Sequence, residues 1–409
     1  KPVCEKGGAV MKKLLSIGIV LSLLLAMLTG CQSPGPEQDL GDEFIFEDDN
    51  QYYFYLSGIF GHPIAESENG YYTFLNGYIY TLDKATGKCI PLCNKPDCTH
   101  DDRELHSDGS STCNAYFGAI QQMSYYKGNL YVLSADTIYE MDASGSTRKQ
   151  LLQAKEHIFT SMVHRGYLYL SFSDYLLSPE EYTQEELKNS SYRVERYRLD
   201  HWDGKSSVVY ERRGIFGTIN SMFAFGNKIY MPSTANDYAT AIFDIVTKEI
   251  TENNEIPGCA IAPNNRIVYF KIPEEWRDDL TIEEIYKIRC NNMAVIEDAE
   301  GNTQKTEISQ VYSYLYSSSQ LIAADNRVEV TFENLAEEDR GIGFYDANGK
   351  LIREIKTEND TMPSLGMNED YFFYMKQSEN GENDEVWAID LHKLDDPDLK
   401  GEPFFVSEK

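Results

Sequence analysis

The chain has 409 residues and a formal charge of −29, from 66 acidic against 37 basic side chains. An excess of that size repels polyanions, which argues against nucleic-acid binding and against electrostatic docking on anionic lipid. With 42% hydrophobic residues and 29 tyrosines, the composition suits a large β-rich globular domain.

Residues 1–30 read as an export signal and not as part of the fold. Residues 1–10 have no role in that scheme and look like upstream sequence, with Met11 as the start. Met11-Lys12-Lys13 is basic, and Leu14 to Leu28 is an apolar run shorter than the roughly 20 residues of a membrane span. Leu28-Thr29-Gly30-Cys31 resembles the bacterial lipobox, in which the signal is cut before the cysteine and the sulfur carries a diacylglycerol. The resemblance implies a mature chain of residues 31–409, lipid-anchored through Cys31 on the extracytoplasmic side of the cell membrane. More than one acyl chain suffices for stable anchoring. The first thirty residues hold four lysines and one glutamate, so the charge from Cys31 onward is −32. Residues 31–42 read as a flexible linker and 43–409 as one domain. After the signal no run of 18 apolar residues remains, so nothing else in the sequence reads as a spanning helix.

Seven times an apolar run ends in an acid, turns through polar residues and restarts. The anchoring acids are Asp83, Asp142, Asp200, Asp244, Asp298, Asp346 and Asp390, spaced 59, 58, 44, 54, 48 and 44 residues apart. Turn pairs such as Asn69-Gly70, Gly128-Asn129 and Arg165-Gly166 precede aromatic, β-branched runs such as YYTFL (71–75), LYVLS (130–134) and YLYLSF (167–172). Turns of this kind between such runs signal strand pairs. Each unit reads strand A, tight turn, strand B, loop, strand C ending in Asp, tight turn, strand D. A period of 40–60 residues built from strands predicts an all-β, seven-bladed β-propeller of four-stranded antiparallel blades. In the fifth unit strand C is either EIYKIRC (284–290) or NMAVIED (292–298). The strand-like segment 43–56 is expected to close the last blade onto the first, or to pack outside as a hairpin.

The long connections fall on one edge of the units. B–C loops 173–191 and 273–284 carry small helix-like insertions, and the largest D–A connection is 94–118. Binding residues favour loops on a rigid scaffold, so Tyr175, Tyr182 and Trp276 on these loops are candidates for stacking on sugars or peptides.

Cys93, Cys98, His100 and Cys113 make a Cys₃His set that suits a structural zinc. Cys89, four residues before Cys93 on an outer strand, is expected to share its face. Disulfides are the competing reading for an exported chain, Cys93–Cys113 and Cys89–Cys98 among them, and free thiols are a third. In every case the cluster pins a long loop. Cys259 and Cys290, flanking the fifth unit's first strands, read as buried small apolar residues. His164 and His201 read as solvated polar residues at a strand end and in a turn.

The LD-x-x-TGK turn at residues 82–88 resembles repeats of quinoprotein-type propellers, but the tryptophan that follows TGK in docking repeats is replaced by Cys89, and no quinone cofactor is inferred. The lipobox, the segment PLCNKPDCTHDD (91–102), CNAY (113–116) and the repeats together are similar to a group of surface lipoproteins of Gram-positive gut anaerobes. That resemblance implies a cell-surface address and a propeller fold, and carries no activity. There is no Gly-x-Ser-x-Gly, His-Glu-x-x-His or phosphate-binding glycine loop. The expectation is a monomeric, non-catalytic recognition module for a glycan, peptide or envelope protein. The alternatives are a glycan hydrolase or lyase using acids at the channel mouth, such as Glu180-Glu181, Asp278-Asp279 or Glu337-Glu338, and a scaffold of an envelope complex.

Overall fold

In the computed structural model of the protein the described residues are 39–41, 43–51, 63–101, 103, 111–174, 183, 185, 189–214, 217–233, 240–253, 259–262, 266–270, 294–297, 303–306, 321–324, 327–334, 339–346, 350–356, 361–377 and 384–405. Leu40–Lys409 forms one folded unit. Cys31, Tyr175, Tyr182 and Trp276 lie outside the described residues, as do the three acidic pairs and nearly all of both helix-like insertions.

Seven four-stranded antiparallel sheets occur among the described residues, each a simple A-B-C-D meander. Sheets 1 to 7 span residues 64–91, 122–153, 158–213, 223–253, 259–306, 321–356 and 361–405. The all-β class and the four-stranded unit are those expected from the repeat. In the fifth sheet strand C is Ala294–Glu297, within NMAVIED. The other candidate, 284–290, lies outside the described residues.

The repeated aspartate has a local cause. At the end of strand C its carboxylate accepts from backbone N–H groups two to four residues on, closing the C–D turn. Asp83 Oδ1 accepts from Thr86 N at 2.7 Å, Asp142 Oδ1 from Ser144 N at 2.8 Å, and Asp346 Oδ1 from Lys350 N at 2.9 Å. Asp244 Oδ1 accepts twice, from Val246 N and Thr247 N. These are Asx turns, which satisfy donors that the strands leave unpaired. Several tight turns place two residues at positive φ, among them Lys127-Gly128 (44° and 83°) and Arg165-Gly166 (46° and 80°). That is the type I′ geometry matched to strand twist.

Packing runs from sheet to sheet. Phe74 and Ile79 of sheet 1 meet Leu130 and Met141 of sheet 2. Leu133 of sheet 2 meets Leu168 and Phe172 of sheet 3, and Tyr192 of sheet 3 meets Phe243 of sheet 4. The last sheet packs on the first: Tyr71 and Leu75 share a cluster with Phe373, Val386 and Phe405. The Tyr71 ring meets the Phe404 ring edge-on at 5.2 Å, and Asn368 Nδ2 donates to Glu66 Oε2 at 3.2 Å. A strands of neighbouring sheets, such as those of sheets 1 and 2 or 2 and 3, lie side by side.

The segment 43–51 is not the strand that its sequence suggests. It forms a turn, in which Asp49 N donates to Ile45 O at 2.8 Å and Asp49 Oδ2 accepts from Ile45 N at 3.0 Å. It neither closes the last sheet nor forms an outer hairpin within the described residues. It lies on the A–B turns instead. Arg165 N donates to Asp48 O at 2.6 Å, and the Gln51 side chain pairs with the backbone of Glu66. The physical reason is its run of polar residues: Asp48, Asp49, Asn50 and Gln51 each find a partner at the A–B turns, which no strand pairing supplies here.

Candidate metal centre

The described parts of the D–A connection between sheets 1 and 2 pack into the cluster that those two sheets share. Its two legs run back along the B–C end of sheet 1. Leu92 N donates to Ile79 O at 2.8 Å, Ile79 N to Ala115 O at 2.9 Å, and Phe117 N to Gly77 O at 2.9 Å. Leu92, Cys113, Ala115 and Phe117 are buried in the cluster shared by the two sheets, with Cys93 and Cys98 packed against it.

A single carbonyl brings the legs into register. Asn94 N donates to Gly145 O at 3.1 Å, and Asn114 Nδ2 donates to the same oxygen at 2.9 Å. Gly145 sits in the C–D turn of sheet 2 at φ 74°, and a Cβ there would meet Leu92 C at 2.7 Å and Cys93 N at 2.8 Å. Only glycine tolerates both that conformation and that approach. Cys93 and Cys113, one residue before each pinned asparagine, are thereby set beside each other. The first leg turns through Cys98 N to Lys95 O at 3.2 Å, and Lys95 Nζ crosses to the second leg, donating to Thr112 O at 2.8 Å.

The Sγ atoms of Cys93, Cys98 and Cys113 and an imidazole nitrogen of His100 all lie within 4.8 Å of one another. Cys113 Sγ and His100 Nδ1 are 3.6 Å apart. His100 reaches this position in the left-handed region, at φ 58°, which costs a non-glycine residue about 1 kcal/mol or more. Asn114 N donates to Cys93 Sγ at 3.4 Å. Burial pushes the Cys113 thiol up to about 12. Burial also acts upward on Cys93, but the N–H groups of Lys95 and Asn114 and the neighbouring thiols outweigh it and hold that thiol below its ordinary value. Three thiols and an imidazole converging on one point form a group that could hold a metal ion. Cys89, Cys93, Cys98 and Cys113 are all free thiols.

Cys89 does not belong to this group, contrary to the expectation from its spacing. Strand D of sheet 1 ends at Pro91, so the alternation that would align residues 89 and 93 stops between them. Cys89 is buried on the opposite face, against Leu365, Phe373 and Phe405 of sheet 7. A Cys89–Cys98 bridge would have to cross the sheet. Cys259 lies in strand A of sheet 5, Cys259–Ala262, and Cys290 lies outside the described residues.

A second polar cluster is one the sequence reading missed. His164 is fully buried, not solvated; His201 is exposed in its turn as expected. His164 Nδ1 accepts from Asn50 N at 3.0 Å, and Nε2 lies 2.8 Å from Gly226 O. Burial pulls its pKa down to about 4, against the opposing charge of Asp49 at 3.7 Å. Arg165 Nε donates to Asp49 Oδ1 at 2.6 Å, and its Nη atoms donate to Gly41 O, Asn227 Oδ1 and Glu43 O. Lys127 Nζ pairs with Asp48 at 2.6 Å. The available signal was arginine at the first position of a type I′ turn, a place that usually takes Asn, Asp or Gly. Asn50 and Gln51 also line a small cavity with Ile64, Gln122, Ser124 and Ser161, from the A strands of sheets 1 to 3.

No family model and no curated protein matches the chain. Among solved structures it is similar to the tricorn protease, at 9% identity and a TM-score of 0.48, over 84% of this chain and 35% of that one. It is also similar to the β-propeller domain of the Trilobed protease from Pyrococcus furiosus, at 11% identity and a TM-score of 0.48, over 87% and 100%. A third is BamB from Moraxella catarrhalis, at 10% identity and a TM-score of 0.41, over 80% and 84%. The chain thus spans about a third of the tricorn chain.

Proposed function

We propose that the protein is a lipid-anchored, seven-bladed β-propeller that acts as a non-catalytic recognition module at the cell surface. Its B–C and D–A edge, stiffened by a structural zinc on Cys93, Cys98, His100 and Cys113, takes a glycan, peptide or envelope protein. The observation that carries this is the asymmetry of the connections. A–B turns are two or three residues long in all seven sheets, whereas B–C loops reach 23 residues and D–A connections reach 30. Long connections on one edge of a rigid stack are the usual carriers of binding residues.

Zinc is favoured over a disulfide by the number of donors that converge. A bridge uses two sulfurs and leaves the third thiol and the imidazole without a role. Zn–S bonds of about 2.3 Å and a Zn–N bond of about 2.0–2.1 Å at the tetrahedral angle set an S···N edge of about 3.6 Å. The Cys113–His100 separation is 3.6 Å. With all four positions filled by protein the metal is structural and leaves no place for substrate.

The test is a thermal-shift screen of residues 32–409 against glycans, cell-wall fragments and peptides. A ligand at 100 times its Kd adds about 2.7 kcal/mol to native stability. The reading expects a shift that disappears when the 174–190 loop is shortened to a tight turn and persists when Lys127 is changed on the A–B edge. A shift with the opposite dependence overturns it, and turnover of the stabilising glycan transfers the protein to the enzyme class.

A further inference from the structure

We propose that residues 41–51 are a strap that orients the molecule at the membrane, with its A–B edge toward the bilayer and its loop-rich B–C/D–A edge away from it. This rests on the lipid anchor at Cys31 proposed above. The partner of the A–B edge is therefore a lipid surface, met through a short tether and not through adhesion.

The strap is fixed at both ends of its run and by three sheets, with a fourth bracing the arginine that holds it. Lys127 of sheet 2 holds Asp48, and Arg165 of sheet 3 holds Asp49 and the carbonyls of Gly41 and Glu43. Asn227 of sheet 4 shares the Arg165 guanidinium at 2.7 Å, and Gln51 pairs with Glu66 of sheet 1. Every one of these sheet residues lies at or beside an A–B turn. They sit at the ends of the A strands, which lie side by side from sheet to sheet. The chain thus enters the fold on the A–B edge and inboard of the outer strands.

The reach of the tether then decides the orientation. Ten residues lead from Cys31 to Gly41, a fully extended span of at most about 35 Å. To bring the far edge to the bilayer, the tether would have to cross three strand spacings outward, about 14 Å, and then climb a sheet of six-residue strands, about 20 Å. That path uses the whole span with no slack for the side chains in its way. With the A–B edge down, most of the tether stays relaxed. Charge agrees with a tether and not a docking patch, because Lys127 and Arg165 are both engaged by the strap's own carboxylates.

The full-length lipidated protein in phosphatidylcholine vesicles carrying a headgroup quencher tests this. One variant places a fluorophore at Glu68, exposed in the A–B turn of sheet 1. A second places it at Lys155, exposed in the D–A connection between sheets 2 and 3. The expected result is several-fold stronger quenching at position 68 than at 155, unchanged by high salt. Arg165→Ala should collapse that difference while the vesicles still carry the protein. A flexible Gly/Ser insertion of about 20 residues after Glu37, whose coil span then grows well past the tether's, should do the same without touching the fold. Equal or reversed quenching in the wild-type chain overturns the orientation, and a difference that survives both changes overturns the strap as its cause. Vesicle flotation that persists in Cys31→Ser refutes the lipid anchor itself, a separate outcome.

Discussion

Removing the Arg165 guanidinium should be among the most damaging single changes on the A–B edge. Its side chain is 3% exposed and that of Asp49 is 2%, so the ion pair is out of water. Deleting one partner of such a pair leaves a buried carboxylate uncompensated, a loss of about 3–5 kcal/mol. The loss has a ceiling. Once it exceeds what holds the strap down, residues 41–51 lift off and Asp49 ionises in water, so the damage becomes local opening and not global unfolding. Native-state hydrogen exchange separates the two, because strap amides such as Asn50 N, which donates to His164, would lose protection before the strands. A double-mutant cycle isolates the pair. Asp49→Ala keeps the Gly41, Glu43 and Asn227 acceptors on Arg165. The double variant should therefore lose clearly less than the sum of the singles. Additivity within about 0.5 kcal/mol would show that the two side chains are not coupled and would refute the reasoning.

Other consequences are equally specific. His164 has a folded pKa of about 4, below its ordinary 6.5, so the unfolded chain binds the extra proton between those values. Stability should be full above pH 6.5 and fall by about 3 kcal/mol as pH drops toward 4, at 1.36 kcal/mol per pH unit. Urea midpoints across that range should show the slope in the wild-type chain and a flatter one in His164→Gln; parallel slopes would refute it. Gly145→Ala should dislodge the 92–93 backbone, lowering stability by about 1–3 kcal/mol as overpacking does and weakening metal retention in a competition with a chromogenic chelator. Asp244→Ala, which removes an acceptor shared by two turn N–H groups, should cost about 1 kcal/mol by thermal melt.

How much of this was legible from the sequence differs from element to element. Asp83, Asp142, Asp244, Asp346 and Asp390 marked the strand ends because their chemistry is local: a carboxylate closes its own turn within four residues. Asp200 lies two residues past its strand, where Asp203 accepts from Lys205 N instead, and Asp298 lies outside the described residues. The four candidate metal ligands were legible as a donor set, since three cysteines and a histidine in 21 residues are uncommon by chance. Their geometry was not, because it depends on Gly145 of the next sheet accepting from both Asn94 and Asn114. Cys89 was misplaced for a related reason. Period-2 alternation holds only while the strand lasts, and this one stops at Pro91. His164 and Arg165 looked like a turn in solvent. What buries them is a segment more than 110 residues earlier, and no local pattern announces a contact of that range.

The most direct single measurement is the metal and thiol content of the protein purified without chelator or reductant. The account predicts one zinc per chain, with Cys93, Cys98 and Cys113 becoming alkylatable together only after chelation, and no zinc in Cys113→Ser. A metal-free chain in which Cys93 and Cys113 are joined by a disulfide would contradict it.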